Sequence, residues 1–529
     1  MKFLKRTIIY QIMIKGKFFC SICSIFLFLN ASCLDVVEDS KQKKKIEQEK
    51  NPNIIIFYVD DLGYGDLGCY GAQNVETPNV DLLAKGGIRH TDSHSSSATC
   101  TPSRYALLTG EYAFRNQAAV LPGDAPLIID TNKMTLPKML QHNGYRTAVV
   151  GKWHLGLGDG NLDWNKDISP GPKEVGFDYS FLIPSTGDRV PTVYVENNSI
   201  VGASKEDKPL IVSYANKVGD VQTGTDNPER LRQAADPQHS GTIINGVSRI
   251  GYMDGAESAW WKDEDFPDIL TQKAIDFMKT SDGEPFFLFF SFHDIHVPRV
   301  PNNRFLGKSK MGLRGDAIVQ MDWMTGQVMK ALEATGKLEN TLVIFTSDNG
   351  PVLNDGYEDG AAEELGSHKP SGGYRGGKYS VYEAGTRVPT ITYWKNKIRP
   401  DTTAALWSQV DLIVSLAKIT DSKLPIEIAK DGFDVSNVIM NANAKGRDIL
   451  VEESYTLSLR ENFMKYIAPM AKSKPLPNWI EGKGIDGGHM YEPQLFDLKN
   501  DPWEKHNLAE KFPERVAQMQ RALDSIKLL

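Results

Sequence analysis

Four short, unbroken apolar runs constrain this chain more than any other feature. They are Asn53–Val59 (NIIIFYV), 147–150 (TAVV), 286–292 (FFLFFSF) and 341–345 (TLVIF). None alternates polar with apolar, so each reads as a strand buried on both faces, which is the signature of a parallel sheet covered by helices. Helical patterns lie between them. Residues 135–143 open with Thr135 as a cap and Pro137 just inside. Residues 316–335 carry an amphipathic spacing that Gly336 stops. Strands alternating with helices predict an α/β fold, a mixed but mostly parallel sheet sandwiched by helices. The pattern changes after about residue 440. Strand-like pieces at 448–452, 463–467 and Gln494–Asp497 precede a helical pattern at 513–526, which predicts a smaller antiparallel sheet plus helix. The expected organisation is therefore a catalytic domain over 53–440 and a C-terminal subdomain over 441–529. Residues 159–265 are rich in Gly, Pro, Asn and Asp and read as long loops or an insertion near the site, with a hairpin around 193–201.

Each apolar run gives way to chemically pointed residues. The first ends in Asp60-Asp61, the second in Gly151-Lys152-Trp153-His154, the third in His293-Asp294-Ile295-His296, and the fourth in Thr346-Ser347-Asp348-Asn349-Gly350. Open α/β sheets bind ligands at the carboxyl ends of their strands, so these four ends predict one convergent site. Adjacent carboxylates plus a distant Asp-Asn pair form an oxygen-rich set. Such ligands suit Ca²⁺ or Mg²⁺ rather than a thiolate-bound zinc.

Composition excludes several classes. With 41% apolar and 24% charged residues the chain can bury a large core, which rules out global disorder. A net charge of −7 argues against a nucleic-acid binder, and five cysteines in 529 residues rule out a disulfide scaffold. Two of those cysteines, Cys20 and Cys23, lie in the apolar run of a leader. Lys2, Lys5, Arg6, Lys15 and Lys17 precede an apolar run over 18–29, too short to span a membrane and suited to a signal peptide. Leu29-Asn30-Ala31-Ser32-Cys33 resembles a bacterial lipobox, with Asn30 where an aliphatic residue is usual. Residues 1–33 thus read as a signal peptide, lipobox-bearing or plainly cleaved, and 34–52 as a solvated tether. Lipid on Cys33 would attach the chain to a membrane. The expected location is outside the cytoplasm, as a periplasmic or outer-membrane lipoprotein of a Gram-negative bacterium.

Cys100-Thr101-Pro102-Ser103-Arg104, with Leu107-Leu108-Thr109-Gly110 and Arg115 downstream, looks like the sulfatase signature. Gly151–Gly156 (GKWHLG), Thr346–Gly350 and a late lysine stretch at 374–385 (YRGGKYSVYEAG) come after it in that family's order. The chain resembles the formylglycine-dependent type I sulfatases in their arylsulfatase A and N-acetylgalactosamine-6-sulfatase branch. The likeness is strong from residue 51 to about 395 and continues through Leu495-Phe496-Asp497-Leu498. It implies an alkaline-phosphatase-like fold and sulfate-ester hydrolysis. It further implies conversion of Cys100 to formylglycine by a sulfatase-maturing enzyme.

The resemblance also assigns roles. Asp60, Asp61, Asp348 and Asn349 should hold one Ca²⁺, with the group at position 100 as a further ligand. Arg104 should hold the formylglycine, and Lys152 should contact both it and sulfate. His154 is placed as the base for sulfate release. His296, with His293 as a rival, is placed as the acid for the departing alcohol. Lys378, with Lys369 and Arg375 as rivals, should bind sulfate and assist the same oxygen. The family's sulfate-contacting serine falls at Ser185 or Thr186, and the spacing favours Thr186. The chemistry needs such a set. A sulfate monoester is an anion, so a nucleophile reaches sulfur only past a clamp of positive charge. A hydrated aldehyde offers two oxygens on one carbon, one to attack and one to drive release. Histidine titrates near working pH and can serve as base or acid.

The expected substrate is a sulfated carbohydrate, with sulfated galactose or N-acetylgalactosamine favoured. Arg189 (beside Asp188), His368 and Arg375 are the candidate readers of the sugar. Two rival functions are a phosphomonoester or phosphonate hydrolase of the same superfold and an inactive glycan-binding lipoprotein.

Overall fold

The structure is a computed structural model that describes residues 51–528 except 282, 426, 474 and 482. The leader, Cys33 and nearly all of the tether lie outside the described residues. Among the described residues, no helix is long and apolar enough to cross a membrane.

Ten strands build the main sheet. In chain order they are β1 (Asn53–Val59), β2 (Ile88–His90), β3 (Arg146–Lys152), β4 (Tyr179–Ile183), β5 (Val195–Glu196), β6 (Ser199–Ile200), β7 (Phe286–Ser291), β8 (Thr341–Ser347), β9 (Thr390–Tyr393) and β10 (Asp401–Thr403). Their spatial order is β10-β2-β9-β8-β1-β7-β3-β4-β5-β6. The central five, β8-β1-β7-β3-β4, are all parallel. Antiparallel strands flank them on both sides, among them the β5–β6 hairpin.

The apolar runs behave as their composition demands. Along β1, Ile54, Ile56 and Tyr58 join one core cluster while Ile55, Phe57 and Val59 join another. The period-two geometry of a strand sends neighbouring side chains to opposite faces, and here both faces are apolar. The first face is covered by α2 (Cys100–Thr109), α3 (Leu136–His142) and α6 (Leu412–Ile419). The second is covered by α1 (Pro78–Gly86), α4 (Phe266–Lys279) and α5 (Gly312–Ala334). Thr135 caps α3 by accepting from Lys138 N at 3.3 Å.

A second sheet is antiparallel, in the order β11 (Ile449–Ser454), β12 (Thr456–Glu461), β13 (Met464–Ile467) and β14 (Gln494–Asp497). Helix α7 (Pro513–Leu528) packs Met519 and Leu523 onto it. The same cluster takes in Ala106 and Tyr112 from α2 and the turn after it. The smaller sheet therefore lies directly behind the helix that begins at Cys100.

Register sets the site. Val59 pairs with Ser347, Tyr58 with Ser291, and Ser291 with Gly151, so β1, β8, β7 and β3 finish at one level. β3 runs on through Lys152 because Lys152 still pairs with Ile183 of β4. Gly151 is obligatory there: its φ is 108°, and a Cβ would stand 1.8 Å from Ser291 O. Past the strands, Asp60 N donates to Asp294 O at 3.1 Å and Asp348 N to Val59 O at 3.0 Å. These bonds hold the acidic loops in fixed relation.

Candidate active site

Three carboxylates meet at the level where the strands end. Asp60, Asp61 and Asp348 are each fully buried, and one ligand atom from each lies within 4.8 Å of the others and of Cys100 Sγ. Asp61 N donates to Asp348 Oδ1 at 3.3 Å, and Asn349 Nδ2 donates to Asp61 Oδ1 at 2.8 Å. Asn349 Oδ1 is buried and has no hydrogen-bond partner. Burial, followed by the nearby Asp348 charge, pushes the Asp60 carboxyl well above its ordinary range. Like charges this close in low dielectric call for a cation. Three carboxylates and an orphaned amide oxygen are hard oxygen donors, so the residues fit Ca²⁺ or Mg²⁺. A thiol at position 100 is the one soft donor, and an oxygen there would complete the set.

Cys100 is the first residue of α2, behind Thr99 as cap, and its Sγ lies 3.6 Å from Asp60 Oδ1. Burial raises its thiol pKa, which makes an unmodified Cys100 a poor nucleophile. One turn on, Arg104 is fully buried. Its Nε and Nη2 both donate to Asp348 Oδ2, at 3.1 and 2.7 Å, and its Nη1 donates to Lys152 O at 3.2 Å and Ser291 Oγ at 2.5 Å. One guanidinium thus ties α2 to β3, β7 and β8.

Two lysines flank the carboxylates. Lys152 Nζ pairs with Asp60, and Lys378 Nζ lies 2.9 Å from both Asp61 Oδ2 and Asp355 Oδ2. Although burial opposes its charge, Asp355 and Asp61 hold Lys378 well above its ordinary value, so it is an ammonium.

The two histidines have assignable tautomers. His296 Nδ1 lies 2.6 Å from Val297 O, and a carbonyl only accepts, so Nδ1 carries the proton. Its Nε2 turns toward Asp61 Oδ2 at 3.8 Å. Burial, then Lys378 and Lys152, push His296 well below its ordinary value, so it is neutral at rest. His154 Nε2 lies 3.0 Å from Leu121 O and by the same logic carries its proton. Its Nδ1 is buried with no partner, a bare lone pair. Burial, then Lys152 and Arg189, lower His154 as well.

A cavity opens on this cluster, and Cys100, His154, Arg189, His296 and Lys378 all line it. Thr186 is buried beside it: Arg189 Nη1 donates to Thr186 Oγ1 at 2.8 Å and to Asp188 Oδ1 at 2.9 Å. The rivals fall elsewhere. His293 lies under Gly187 and against Phe266, and Lys369 does not line the cavity. Two candidate sugar readers are also not brought to it. His368 is buried against Asp66, Nε2 to Oδ1 at 2.8 Å, where Arg314 also pairs. Arg375 pairs with Asp486 at 2.6 Å and lies over the Tyr382 ring at 3.9 Å. Each is paired with a carboxylate and neither lines this cavity.

Sequence reasoning did not single out Gln238, His239, Asp355, Tyr379 and Lys483, which also line the cavity. They come from irregular segments or a single short turn with no period to read, and Lys483 arrives from the stretch between β13 and β14. Asp188 and Asp236 raise His239 above its ordinary value although burial works against it.

Comparison with known proteins agrees with this geometry. A family model described as Sulfatase matches residues 52–422. The chain is 46% identical over 490 residues to an N-acetylgalactosamine-6-O-sulfatase of Bacteroides thetaiotaomicron, covering 92% of this chain and 95% of that protein. It is 31% identical over 500 residues to human arylsulfatase A, covering 90% and 87%. A solved structure from work on glycosaminoglycan metabolism by Bacteroides thetaiotaomicron matches with a TM-score of 0.88 at 46% identity, covering 91% of this chain and all of that one.

Proposed function

This chain belongs to the sulfatase family and is a sulfuric ester hydrolase; from that premise we propose that it removes the 6-sulfate of N-acetylgalactosamine or galactose units in glycans. One observation carries the reading: Cys100, His154, His296 and Lys378 line one cavity at the strand ends, and Cys100 joins it to the buried cluster of Asp60, Asp61 and Asp348, with Lys152 paired to Asp60. The similarity to the N-acetylgalactosamine-6-O-sulfatase supports the sugar and the position.

In this reading Asp60, Asp61, Asp348 and Asn349 hold the cation, which supplies positive charge against a sulfate oxygen. Formylglycine made from Cys100 supplies, once hydrated, a nucleophilic oxygen and a second hydroxyl on the same carbon. Arg104 keeps that residue and Asp348 in fixed relation. Lys152 and Lys378 bind sulfate from two sides, and Lys378 also assists the departing sugar oxygen. His296 Nε2 is unprotonated at rest, and the incoming sulfate anion favours its imidazolium, so it can hand a proton to the departing sugar oxygen. The bare His154 Nδ1 is placed to take a proton when sulfate leaves. Arg189, held by Asp188 and Thr186, presents donors to sugar hydroxyls.

The test has two parts. Mass measurement of the Cys100 peptide from protein made beside a maturing enzyme should show formylglycine; unmodified cysteine in active protein would overturn the nucleophile. A panel of 2-, 3-, 4- and 6-sulfated galactose, N-acetylgalactosamine and glucosamine should show turnover of the 6-sulfated galacto sugars. Turnover of glucosamine sulfates alone, or faster hydrolysis of aryl phosphate than aryl sulfate, would sink it. The export reading belongs to the same proposal: fatty-acid labelling should appear on the native chain and vanish in Cys33→Ala.

A further inference from the structure

Asp355 lies six residues beyond Asn349, in an irregular loop, and is 4% exposed. Donors surround its carboxylate. Lys378 Nζ meets Oδ2 at 2.9 Å, Lys483 Nζ meets Oδ1 at 2.8 Å, and the Tyr379 hydroxyl donates to Oδ2 at 3.2 Å. A ligand atom of His296 is within 4.8 Å. Burial works against its charge, yet Lys378 and Lys483 hold its carboxyl well below the ordinary range, so it is an anion.

The geometry at Lys378 gives this anion a task. A lysine ammonium has three N–H bonds on a flexible stem, so alone it is a poorly aimed point charge. Here Asp61 Oδ2 and Asp355 Oδ2, each at 2.9 Å, fix two of the three directions. The ammonium also lies over the Tyr379 ring, 5.2 Å from its centroid, and lines the cavity, so its third N–H can serve a ligand there. Asp61 is shared with the carboxylate cluster and with Asn349. Asp355 stands outside that cluster and is anchored from its far side by Lys483, which lies between β13 and β14. We propose that Asp355 is a positioning residue that aims Lys378 at the oxygen of the departing alcohol, and that Lys483 locks Asp355 in turn. The C-terminal subdomain then completes the leaving-group end of the site.

This inference rests on the sulfatase reading above, and its test separates the two. Steady-state kinetics are measured on a 6-sulfated galacto sugar, whose alcohol leaves poorly, and on 4-nitrophenyl sulfate, whose phenolate leaves with little help. Asp355→Asn should lower kcat on the sugar sulfate by roughly 10²-fold and on the aryl sulfate by less than about 5-fold, with KM for both changing little. Asp355→Glu should recover part of the loss. Lys483→Met should show the same selectivity more weakly, and the double variant should be no worse than Asp355→Asn, because both act through one contact. Equal losses on the two esters, a rise in KM alone, or additive effects would overturn the proposal. Should Asp355→Asn fail to fold, the ratio of the two rates in Lys483→Met decides it. A wild-type enzyme that hydrolyses neither ester overturns the sulfatase reading itself, and this inference with it.

Discussion

At the scale of single residues, Arg104 is where local geometry and chemistry are least separable. It spends its guanidinium on Asp348, Lys152 O and Ser291 Oγ, all out of water. Its ring contact with Tyr58, 5.2 Å from the centroid, fills the remaining face. Arg104→Met leaves Asp348 buried without its partner, which should cost about 3–5 kcal/mol in denaturant melts run in chelator. Added calcium should return part of that loss, since a cation on the same carboxylate replaces the missing charge; no recovery would count against the metal assignment. The carboxylates also predict a pH dependence with a definite sign. Burial, with the Asp348 charge next, raises Asp60, so without a cation this group keeps a proton at pH values where an ordinary aspartate has lost it. Metal binding must displace that proton. Calcium affinity should therefore fall as pH is lowered, and calorimetry in buffers of different ionisation heat should detect proton release. Affinity independent of pH would argue against the cluster as the binding site. Much of this cluster is legible in the sequence, because each member comes directly after an apolar run or sits in a compact signature. Asp355, His239 and Lys483 are not, since a residue on an irregular loop or in a single short turn carries no period to say where it points. His368 and Arg375 show the complementary limit. A charged residue near a motif reads as a ligand contact, and its carboxylate partner, Asp66 or Asp486, is visible only in the fold.

At the scale of elements, the joint between the two sheets is ionic. His94 has a carboxylate on each ring nitrogen: Asp92 Oδ1 at 3.0 Å from Nε2 and Glu452 Oε1 at 2.9 Å from Nδ1. Arg460 of β12 pairs with Asp92 at 2.6 Å and Lys465 of β13 with Glu383 at 3.1 Å. Burial opposes a charge on His94, but Glu452 and Asp92 outweigh it and raise the imidazole above its ordinary value. A histidine raised on folding contributes stability that is present below its unfolded value and is lost as pH rises through the folded one. Melting temperature should therefore decline from neutral pH upward. His94→Gln should melt lower than the wild type at about pH 6, where the pair is broken, and its alkaline slope should be flatter. Parallel slopes would remove His94 from the joint. Elements are legible to the extent that burial writes itself into composition. β1, β7 and β8 are apolar on both faces and announce themselves. β2, β9 and β10 are three or four residues long with polar members such as Arg89, Thr390 and Asp401, so nothing separates them from loop. β12 escapes notice although TLSLRE alternates as a strand should, because its second buried face is polar: Ser458 and Arg460 are buried against Glu452 and Asp92.

At the scale of the whole molecule, the C-terminal sheet acts as the back wall of the site. Pro52–Leu529 form one compact unit. Ala98 N donates to Glu453 O at 2.9 Å and Glu453 N to Ser96 O at 3.1 Å, so the segment leading into Cys100 is paired with the end of β11. Val451 N donates to the Tyr112 hydroxyl at 3.3 Å, just past the end of α2. Ala106, Tyr112 and Val410 bury themselves in the core that β11–β14 and α7 provide. Removing residues 441–529 would strip those backbone partners, expose that apolar face and leave Asp92 and Glu383 each short of a cationic partner. Each of these is a named route to severe destabilisation, and they act together. A chain of residues 51–440 should accordingly be insoluble or lack the near-ultraviolet dichroism of packed aromatics, whereas 51–529 should show it. Its Cys100 helix, once freed from Glu453, should also exchange amide hydrogens faster than the strands β1 and β8. A soluble 51–440 chain with native dichroism and hydrolysis of aryl sulfate would show that the helix start is held by the main sheet alone. In that case Arg104, with its ties to β3, β7 and β8, would be sufficient to set the nucleophile.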